Sequence, residues 1–376
     1  MTNISFNKPF ISGNELAYIK QAVESGKISG NGIFTKRCHD FFMSRYNFKK
    51  NLLTTSCTDA LEMCALLLNI QPDDEVILPS FTFVSTANAF MLRGAKLVFV
   101  DSRTDNPNMD ESLIESLITP KTKTIVPVHY AGIACEMDTI NQLAKKYNLS
   151  VVEDAAQAID SYYKGRALGS IGNLAAFSFH ETKNIISGEG GLLAINDTTY
   201  ERRAEILWEK GTNRAEFFRG EVDKYGWVDV GSSFLPSEIT SAFLFAQLEN
   251  MEKIQKRRIE IWDAYYHLLE PLQQKGFIKL PQIPPYATNN GHMFYLICES
   301  LEIRSQLIGY LKKNGIMSVF HYLSLHLSEF YKDKHDGRKL PNSDFYTNHL
   351  VRLPLYFELT DADVKFISNK IISFYN

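Results

Sequence analysis

Phe177-Ser-Phe-His-Glu-Thr-Lys183-Asn-Ile-Ile-Ser-Gly188-Glu-Gly-Gly-Leu-Leu193 sets a lysine between an apolar run and a glycine-rich turn that opens a second apolar run. Most lysines are solvated surface charges. One held between a buried strand and a tight turn is less exposed than most. Desolvation and a nearby cation lower a lysine's pKa, which makes its amine nucleophilic enough to form a Schiff base. The first apolar run ends at a hydroxyl, Ser178, and a histidine, His180. In an open parallel sheet ligands sit beyond the carboxyl ends of the strands, so the neighbouring strands decide what Lys183 faces.

Those strands are short and apolar. Val76–Phe83, Lys96–Val100, Thr124–Val128, Val151–Glu153 and Ala175–Phe179 read as strands. Helical periodicity fits Asn14–Ser25, Phe34–Tyr46, Leu61–Leu68, Ser85–Leu92, Asp110–Leu117 and Met137–Tyr147. Near-continuous apolar strands alternating with helices predict an α/β fold with a mainly parallel sheet covered on both faces. The character changes near residue 250. Leu248–Leu272 reads as one long amphipathic helix, followed by the proline-rich Leu280-Pro-Gln-Ile-Pro-Pro285. Strands at Met293–Cys298 and Met317–Tyr322 then mix with helices at Glu302–Asn314 and Asp361–Phe374, the last opened by a Thr360-x-x-Asp363 capping box. The expected division is a large domain over 1–250 and a smaller α+β domain over 251–376.

Three further segments belong at the same end of the sheet. Thr54-Thr-Ser-Cys57-Thr58-Asp-Ala-Leu61 is a small, hydroxyl-rich turn opening a helix. Free N–H groups and the helix dipole make such a turn a phosphate cradle, although a plain helix cap explains it equally. In Pro79-Ser-Phe-Thr-Phe83-Val-Ser-Thr86 an aromatic is placed to stack on a planar ring, or simply to fill the core. Val151-Val-Glu-Asp154-Ala-Ala-Gln157 ends a buried strand on two acids, which need partners there. Asp154 suits a protonated heteroaromatic nitrogen and Gln157 a neighbouring ring oxygen; a helix cap or an ion pair is the alternative. Phosphate cradle, ring stacker, acid and buried lysine together make the set that pyridoxal phosphate (PLP) requires.

Composition narrows the classes. The chain has 376 residues, 45% hydrophobic and 22% charged, with a formal net charge of −3. It carries no global basic field for nucleic acid, and no apolar run reaches the roughly 18–20 residues of a membrane span. The start, Met1-Thr-Asn-Ile-Ser-Phe-Asn-Lys-Pro9, shows no secretory leader. Five scattered cysteines without a C-x-x-C pair argue against disulfides and a thiolate zinc site. The absence of H-E-x-x-H leaves nothing pointing to a metal. A reducing cytoplasm is the expected compartment.

With these segments in view, the chain from about Phe10 to its C-terminus resembles the DegT/DnrJ/EryC1/StrS family of sugar aminotransferases. Ser178-Phe-His-x-x-Lys183 with Gly188-Glu-Gly-Gly191 carries the resemblance, supported by Val152-Glu-Asp-Ala-Ala-Gln157 and Pro127-Val-His-Tyr-Ala-Gly132. The resemblance implies fold type I of the PLP-dependent transferases, with Lys183 joined to the cofactor as a Schiff base. It also implies that Asp154 keeps the pyridine nitrogen protonated and that Gln157 contacts the ring hydroxyl oxygen. Cys57, Thr58 and Ser178 would hold the phosphate, and Phe83 would stack on the ring. Lys224, Tyr322 and His326 are implied as contacts of the nucleotide-sugar. Glu209-Lys-Gly-Thr-Asn-Arg214, Phe217-Phe-Arg-Gly220, Asp223-Lys-Tyr225 and Gly231-Ser-Ser-Phe234 resemble members that aminate a dTDP-linked keto-sugar with L-glutamate as donor. The expected substrate is dTDP-4-keto-6-deoxy-glucose and the expected product the galacto amine, with the gluco isomer as the alternative. A homodimer with shared sites is expected. Ser233 and Leu235 stand where most of the family has Asn and Arg, and Cys57 where it has Gly.

Other readings make different demands. Sugar dehydratases of the same family have His at the position of Lys183. A nucleotide-dependent dehydrogenase needs a G-x-G-x-x-G after the first strand, which is missing here. A non-catalytic binding protein leaves the pairing of Lys183 with Asp154 without a purpose.

Overall fold

The computed structural model describes residues 3–376; Met1 and Thr2, at the start of the stretch read for a leader, lie outside the described residues. The strands are β1 (Lys50–Thr54), β2 (Glu75–Pro79), β3 (Lys96–Val100), β4 (Thr122–Ile125), β5 (Ser150–Asp154), β6 (Tyr162–Tyr163), β7 (Arg166–Ala167), β8 (Leu174–Ser178), β9 (Gly191–Ile195), β10 (Ile278–Lys279), β11 (Phe294–Cys298) and β12 (Leu350–Leu353). Seven of them form one sheet in the order β1-β9-β8-β5-β4-β2-β3. Only β9 runs against its neighbours, antiparallel to both β1 and β8, so the sheet is mainly parallel.

Both faces of this sheet are covered, which explains the unbroken apolar strands. Ile77, Val100, Ile125, Val151, Phe177 and Leu192 point into one core with Phe42 and Ile140. The residues between them in sequence, Val76, Leu78, Phe99, Val126, Val152, Ala176 and Leu193, point into the other with Leu61 and Cys64. A third core lies beyond residue 250, where β10, β11 and β12 form an antiparallel sheet. Its Phe294, Leu296, Val351 and Leu353 pack on Trp262, Tyr265 and Leu269 of the long helix Met251–Gln274 and on Val364 and Ile367 of Asp361–Tyr375. The Thr360 capping box is present, with both reciprocal bonds made.

Two expectations change. Met317–Tyr322 builds no strand ladder; Val319 makes one isolated bridge to Arg352. The strand that pairs with β11 is instead Leu350–Leu353. The helix expected at Leu61–Leu68 starts four residues earlier, at Cys57, because Ser56 caps it by accepting from the Asp59 N–H at 3.0 Å. That shift matters for the site, because it makes Cys57 and Thr58 the first two residues of the helix.

Candidate active site

The helix Cys57–Leu67 begins directly beyond β1. The first N–H groups of a helix have no intrahelical partner, so those of Cys57 and Thr58 face outward with the positive end of the dipole behind them. The turn is held from three sides. Thr54 Oγ1 donates to the Ser56 carbonyl at 2.7 Å, the Thr55 N–H donates to the Phe234 carbonyl at 2.9 Å, and Thr58 Oγ1 donates to Ser85 Oγ at 2.8 Å. Gly191, at the start of β9, lies so close that an added Cβ would run into the Ser56 carbonyl and the Cys57 nitrogen. This explains the last glycine of the Gly188–Gly191 run: β9 can approach the turn only without a side chain. Burial pushes the Cys57 thiol well above its ordinary pKa. The residue therefore offers a neutral thiol and its backbone N–H, not a thiolate.

The two acids at the end of β5 have separate fates. Glu153 is fully buried and fully used: it receives His129 Nε2 at 2.9 Å and the N–H groups of Gly169, Ile171 and Gly172 at 2.8, 2.7 and 2.6 Å. Burial pushes this carboxyl up, but His129 and the glycine N–H groups outweigh burial and hold it below its usual value. Glu153 is thus a strut of the loop after β7. Asp154 points the other way. Its Oδ2 accepts from Thr86 Oγ1 at 2.6 Å and its Oδ1 from the Ala156 N–H at 3.1 Å. Thr86 is in turn braced by Thr82, 2.9 Å away.

Lys183 follows a tight turn in which its N–H donates to the His180 carbonyl at 2.9 Å. The next residue anchors it. Asn184 Nδ2 donates to Gln255 Oε1 and to the Asn290 carbonyl, both at 2.8 Å, and its Oδ1 lies 2.8 Å from His292 Nδ1. Lys183 keeps a strip of accessible surface, and that strip faces a cavity. Burial lowers its pKa, opposed by the nearby Cys57 and Asp154 and reinforced by the positive charge of Arg352. A larger neutral fraction of amine follows, which is what a nucleophile and proton acceptor needs.

The cavity measures about 640 Å³ and is lined by Cys57, Thr58, Phe83, Asp154, Gln157, Ser178, Lys183 and Tyr322 together. All seven residues expected at the cofactor therefore border one space. Phe83 is 55% exposed at the start of the helix Val84–Met91, with an uncovered ring face. Gln157 Oε1 is taken by the Ala131 N–H at 2.6 Å, which leaves its Nε2 as the donor; it reaches the Tyr322 hydroxyl at 3.1 Å. Lys224 and His326 do not border the cavity. Lys224 is exposed on the stretch after the helix Arg214–Phe218. His326 is buried behind β2, with Nδ1 2.8 Å from Ser80 Oγ and Nε2 3.7 Å from Asp344. Arg352, His292, His321, Thr86 and Ala156 border the cavity without having been expected there.

The residues present fit PLP. An anion cradle, an acid for a ring nitrogen, an amide donor, an aromatic cover and a depressed lysine meet the requirements of its phosphate, ring and aldehyde. No group of histidine, cysteine and carboxylate side chains suited to a metal occurs among the described residues. No helix among them is long and apolar enough to cross a membrane.

Comparison with known proteins agrees with this geometry. Residues 9–372 match the model of the DegT/DnrJ/EryC1/StrS aminotransferase family. The uncharacterized protein MJ1066 of Methanocaldococcus jannaschii is 34% identical over 97% of this chain and 95% of its own. Among solved structures, Spr1654 of Streptococcus pneumoniae in its PLP form superposes with a TM-score of 0.90 at 29% identity, covering 99% of this chain and 98% of that one. The same protein is also known in a pyridoxamine (PMP) form. DesV of S. venezuelae gives a TM-score of 0.90 at 27% identity over 100% of this chain and 99% of its own. The architecture is that of fold type I, the cofactor is PLP, and the chain belongs to the DegT/DnrJ/EryC1/StrS aminotransferase family.

Proposed function

We propose that this transferase moves the amino group of L-glutamate onto C4 of dTDP-4-keto-6-deoxy-glucose, giving dTDP-4-amino-4,6-dideoxygalactose and 2-oxoglutarate for a cell-surface polysaccharide. The observation that carries the amino transfer is the single cavity bordered by Lys183, Asp154 and the N-terminus of the helix Cys57–Leu67. Its volume leaves room for a second ligand beside a pyridine ring. Spr1654 bears a name as a candidate sugar aminotransferase. The specific sugar rests on Glu209–Arg214, Phe217–Gly220, Asp223–Tyr225 and Gly231–Phe234. These segments follow one another along the chain, largely exposed from Phe217 to Ser233, and the end of the stretch touches the phosphate turn through the Phe234 carbonyl.

Bound PLP supplies an electrophilic carbon and an electron sink. The chain's own residues do the rest. The N–H groups of Cys57 and Thr58 and the Ser178 hydroxyl hold the phosphate. Phe83 covers one ring face. Gln157 Nε2 donates to the ring oxygen. Asp154 holds a proton on the ring nitrogen, itself fixed by Thr86 and Ala156. Lys183 holds the cofactor until the amino donor displaces it; its freed amine then takes the donor's α-proton and later delivers a proton to sugar C4. Tyr322 faces the sugar side of the cavity. Lys224 and His326 reach the nucleotide only through movement or a second subunit.

The face of C4 that meets Lys183 decides the isomer. Proton NMR of the purified product is expected to show a small H3–H4 coupling, as an axial amine requires. A large coupling means the gluco isomer and overturns the galacto assignment.

The protein acts as a homodimer on this reading. Trp227 is 84% exposed, and Tyr225, Val228 and Val230 are exposed beside it, an apolar stretch of the kind that a partner covers. The same stretch carries Lys224 and Ser233. Sedimentation at micromolar concentration is expected to give a dimer; a monomer with full activity defeats shared sites.

A further inference from the structure

The turn that carries Lys183 rests on a buried polar network, and the geometry of that network fixes one proton. Asn184, Gln255, Asn290 and His292 are each 5% exposed or less. Asn184 Nδ2 lies 2.8 Å from the Asn290 carbonyl, which can only accept. Turning the amide round would set two oxygens against each other, so its orientation is settled. Gln255 agrees: its Oε1 receives Asn184 Nδ2 at 2.8 Å, and its Nε2 donates to the Ile159 carbonyl at 3.4 Å. The atom that faces His292 Nδ1 at 2.8 Å is therefore Asn184 Oδ1, an acceptor, and Nδ1 carries a proton. The backbone holds the ring from both sides. The His292 N–H donates to Asn290 Oδ1 at 2.9 Å, and the His292 carbonyl accepts from Arg258 at 2.8 Å.

The other ring nitrogen is left over. Nε2 has no hydrogen-bond partner among the described residues, and it is not sealed from the cavity that the residue borders. A neutral imidazole has one N–H and one lone pair. With the proton on Nδ1, the lone pair is on Nε2. Burial, and after it the positive charges of Lys183, Arg352 and Arg258, push His292 well below its ordinary pKa, so the ring stays neutral. The cavity thus has a buried acceptor on its wall with no donor.

The chemistry of Lys183 supplies one. The side-chain oxygens of the other groups here are committed: Asp154 to Thr86 and Ala156, Gln157 Oε1 to Ala131, Glu153 to His129. A freed lysine amine has two N–H groups and one lone pair. To take an α-proton the lone pair has to point at it, so an N–H has to point at something else. A carboxylate in that place would orient the amine but also favour its charged form, which cannot act as a base. A neutral imidazole orients it without adding a negative charge.

We propose that His292 is a positioning residue for Lys183: its Nε2 accepts a hydrogen bond from the freed amine and so aims the lone pair of that amine at the α-proton of the amino donor. The proposal rests on the amino-transfer reading above and not on the identity of the sugar. Asn184 has a double part in it. It anchors the turn behind Lys183, and it fixes the tautomer of the ring that receives Lys183.

The experiment uses two variants that each copy one edge of the imidazole. In His292→Asn the amide nitrogen takes the place of Nδ1 and keeps the bond to Asn184, while nothing remains at Nε2. In His292→Gln the amide reaches the place of Nε2 and can turn its oxygen to the cavity, while the bond to Asn184 is lost. The PLP-loaded proteins are mixed with L-glutamate, and loss of the visible cofactor band is followed over a single turnover. His292→Asn is expected to react about 10–100-fold more slowly than wild type, with its apparent affinity for L-glutamate changed less than about threefold. L-Glutamate deuterated at Cα is expected to slow His292→Asn by a larger ratio than it slows wild type, because proton removal has become the slow step. His292→Gln is expected to stay at least about threefold faster than His292→Asn. A residue that only braces Asn184 gives the opposite order, so His292→Gln at or below His292→Asn overturns the proposal. Weaker affinity for L-glutamate with an unchanged rate and isotope ratio makes His292 a contact of the amino donor and also overturns it. Neutron diffraction from wild-type crystals needs no variant: the ring proton is expected on Nδ1, with none on Nε2. A proton on Nε2 overturns the proposal even if neither variant folds. If wild type does not react with L-glutamate, the amino-donor reading fails while the neutron map still tests His292.

Discussion

Lys183→Ala is expected to abolish turnover, by a factor of about 10⁴ or more, while leaving the chain folded. A positioned general base alone contributes about 10²–10⁴ in rate, and in the proposed mechanism Lys183 serves both proton transfers and the attachment of the cofactor. The fold does not depend on its side chain. Asn184 makes the bonds that tie this turn to Gln255, Asn290 and His292, and the Lys183 backbone N–H keeps its bond to His180 in the variant. The backbone at Lys183 is therefore anchored independently of its side chain. The measurement is twofold. Borohydride should fix cofactor to the wild type and not to the variant, and single-turnover transamination with L-glutamate should be lost. Turnover near the wild-type rate removes Lys183 from the mechanism. Loss of turnover together with loss of the urea transition says instead that the side chain is structural.

The architecture was legible where hydrophobic pattern alone decides it. β2, β3 and β8 are mostly apolar because both faces of the sheet are covered, β4 and β5 carry apolar residues at their centre or end, and each lies within a few residues of its expected place. β1 was not found: Lys50-Asn-Leu-Leu-Thr54 is half polar at an edge of the sheet, and only its pairing with β9 makes it a strand. β12 was missed for a related reason. Leu350-Val-Arg-Leu353 is four residues long and carries an arginine, too short and too mixed a pattern to stand out as a strand. Met317–Tyr322 looks more strand-like and is not one, because the partner β12 is already paired with β11 and leaves it a single bridge. Local pattern carries no information about which of two strands wins an edge.

The site divides in the same way. Residues in the four motif segments converge on one cavity, because the segments follow β1, β2, β5 and β8, which are parallel strands of one sheet and end on the same side of it. His326 and Lys224 are implied by the family resemblance and not by a place in the topology; one is behind β2 and the other is on an exposed stretch. Arg352 was missed although a signal existed. An arginine inside an apolar strand has to find a partner, as Glu153 and Asp154 do at the end of β5.

Asp154→Asn is expected to cost transamination about 10²–10³-fold, and Asp154→Glu clearly less. The reason lies in what asparagine keeps and what it loses. Its carbonyl can still accept from the Ala156 N–H, and its amide can donate to Thr86, whose hydroxyl turns round to accept. Both contacts of the native carboxylate, at 3.1 and 2.6 Å, therefore survive in shape. What disappears is the negative charge. Without it nothing in this part of the cavity holds a proton on the ring nitrogen, since Glu153 is committed to His129 and the loop N–H groups. Removing one preorganised electrostatic partner from a water-excluded site typically costs about 10²–10³ in rate. Glutamate restores the charge and errs only by one methylene, against Thr86 and Thr82. The check is the single-turnover rate with L-glutamate at saturating cofactor for all three proteins, with urea midpoints measured alongside. Equal losses for Asn and Glu mean that Asp154 acts through its shape and not its charge. A large drop in the urea midpoint for Asn alone means that the carboxylate is a strut of β5, and the role at the ring nitrogen then has to pass to another residue.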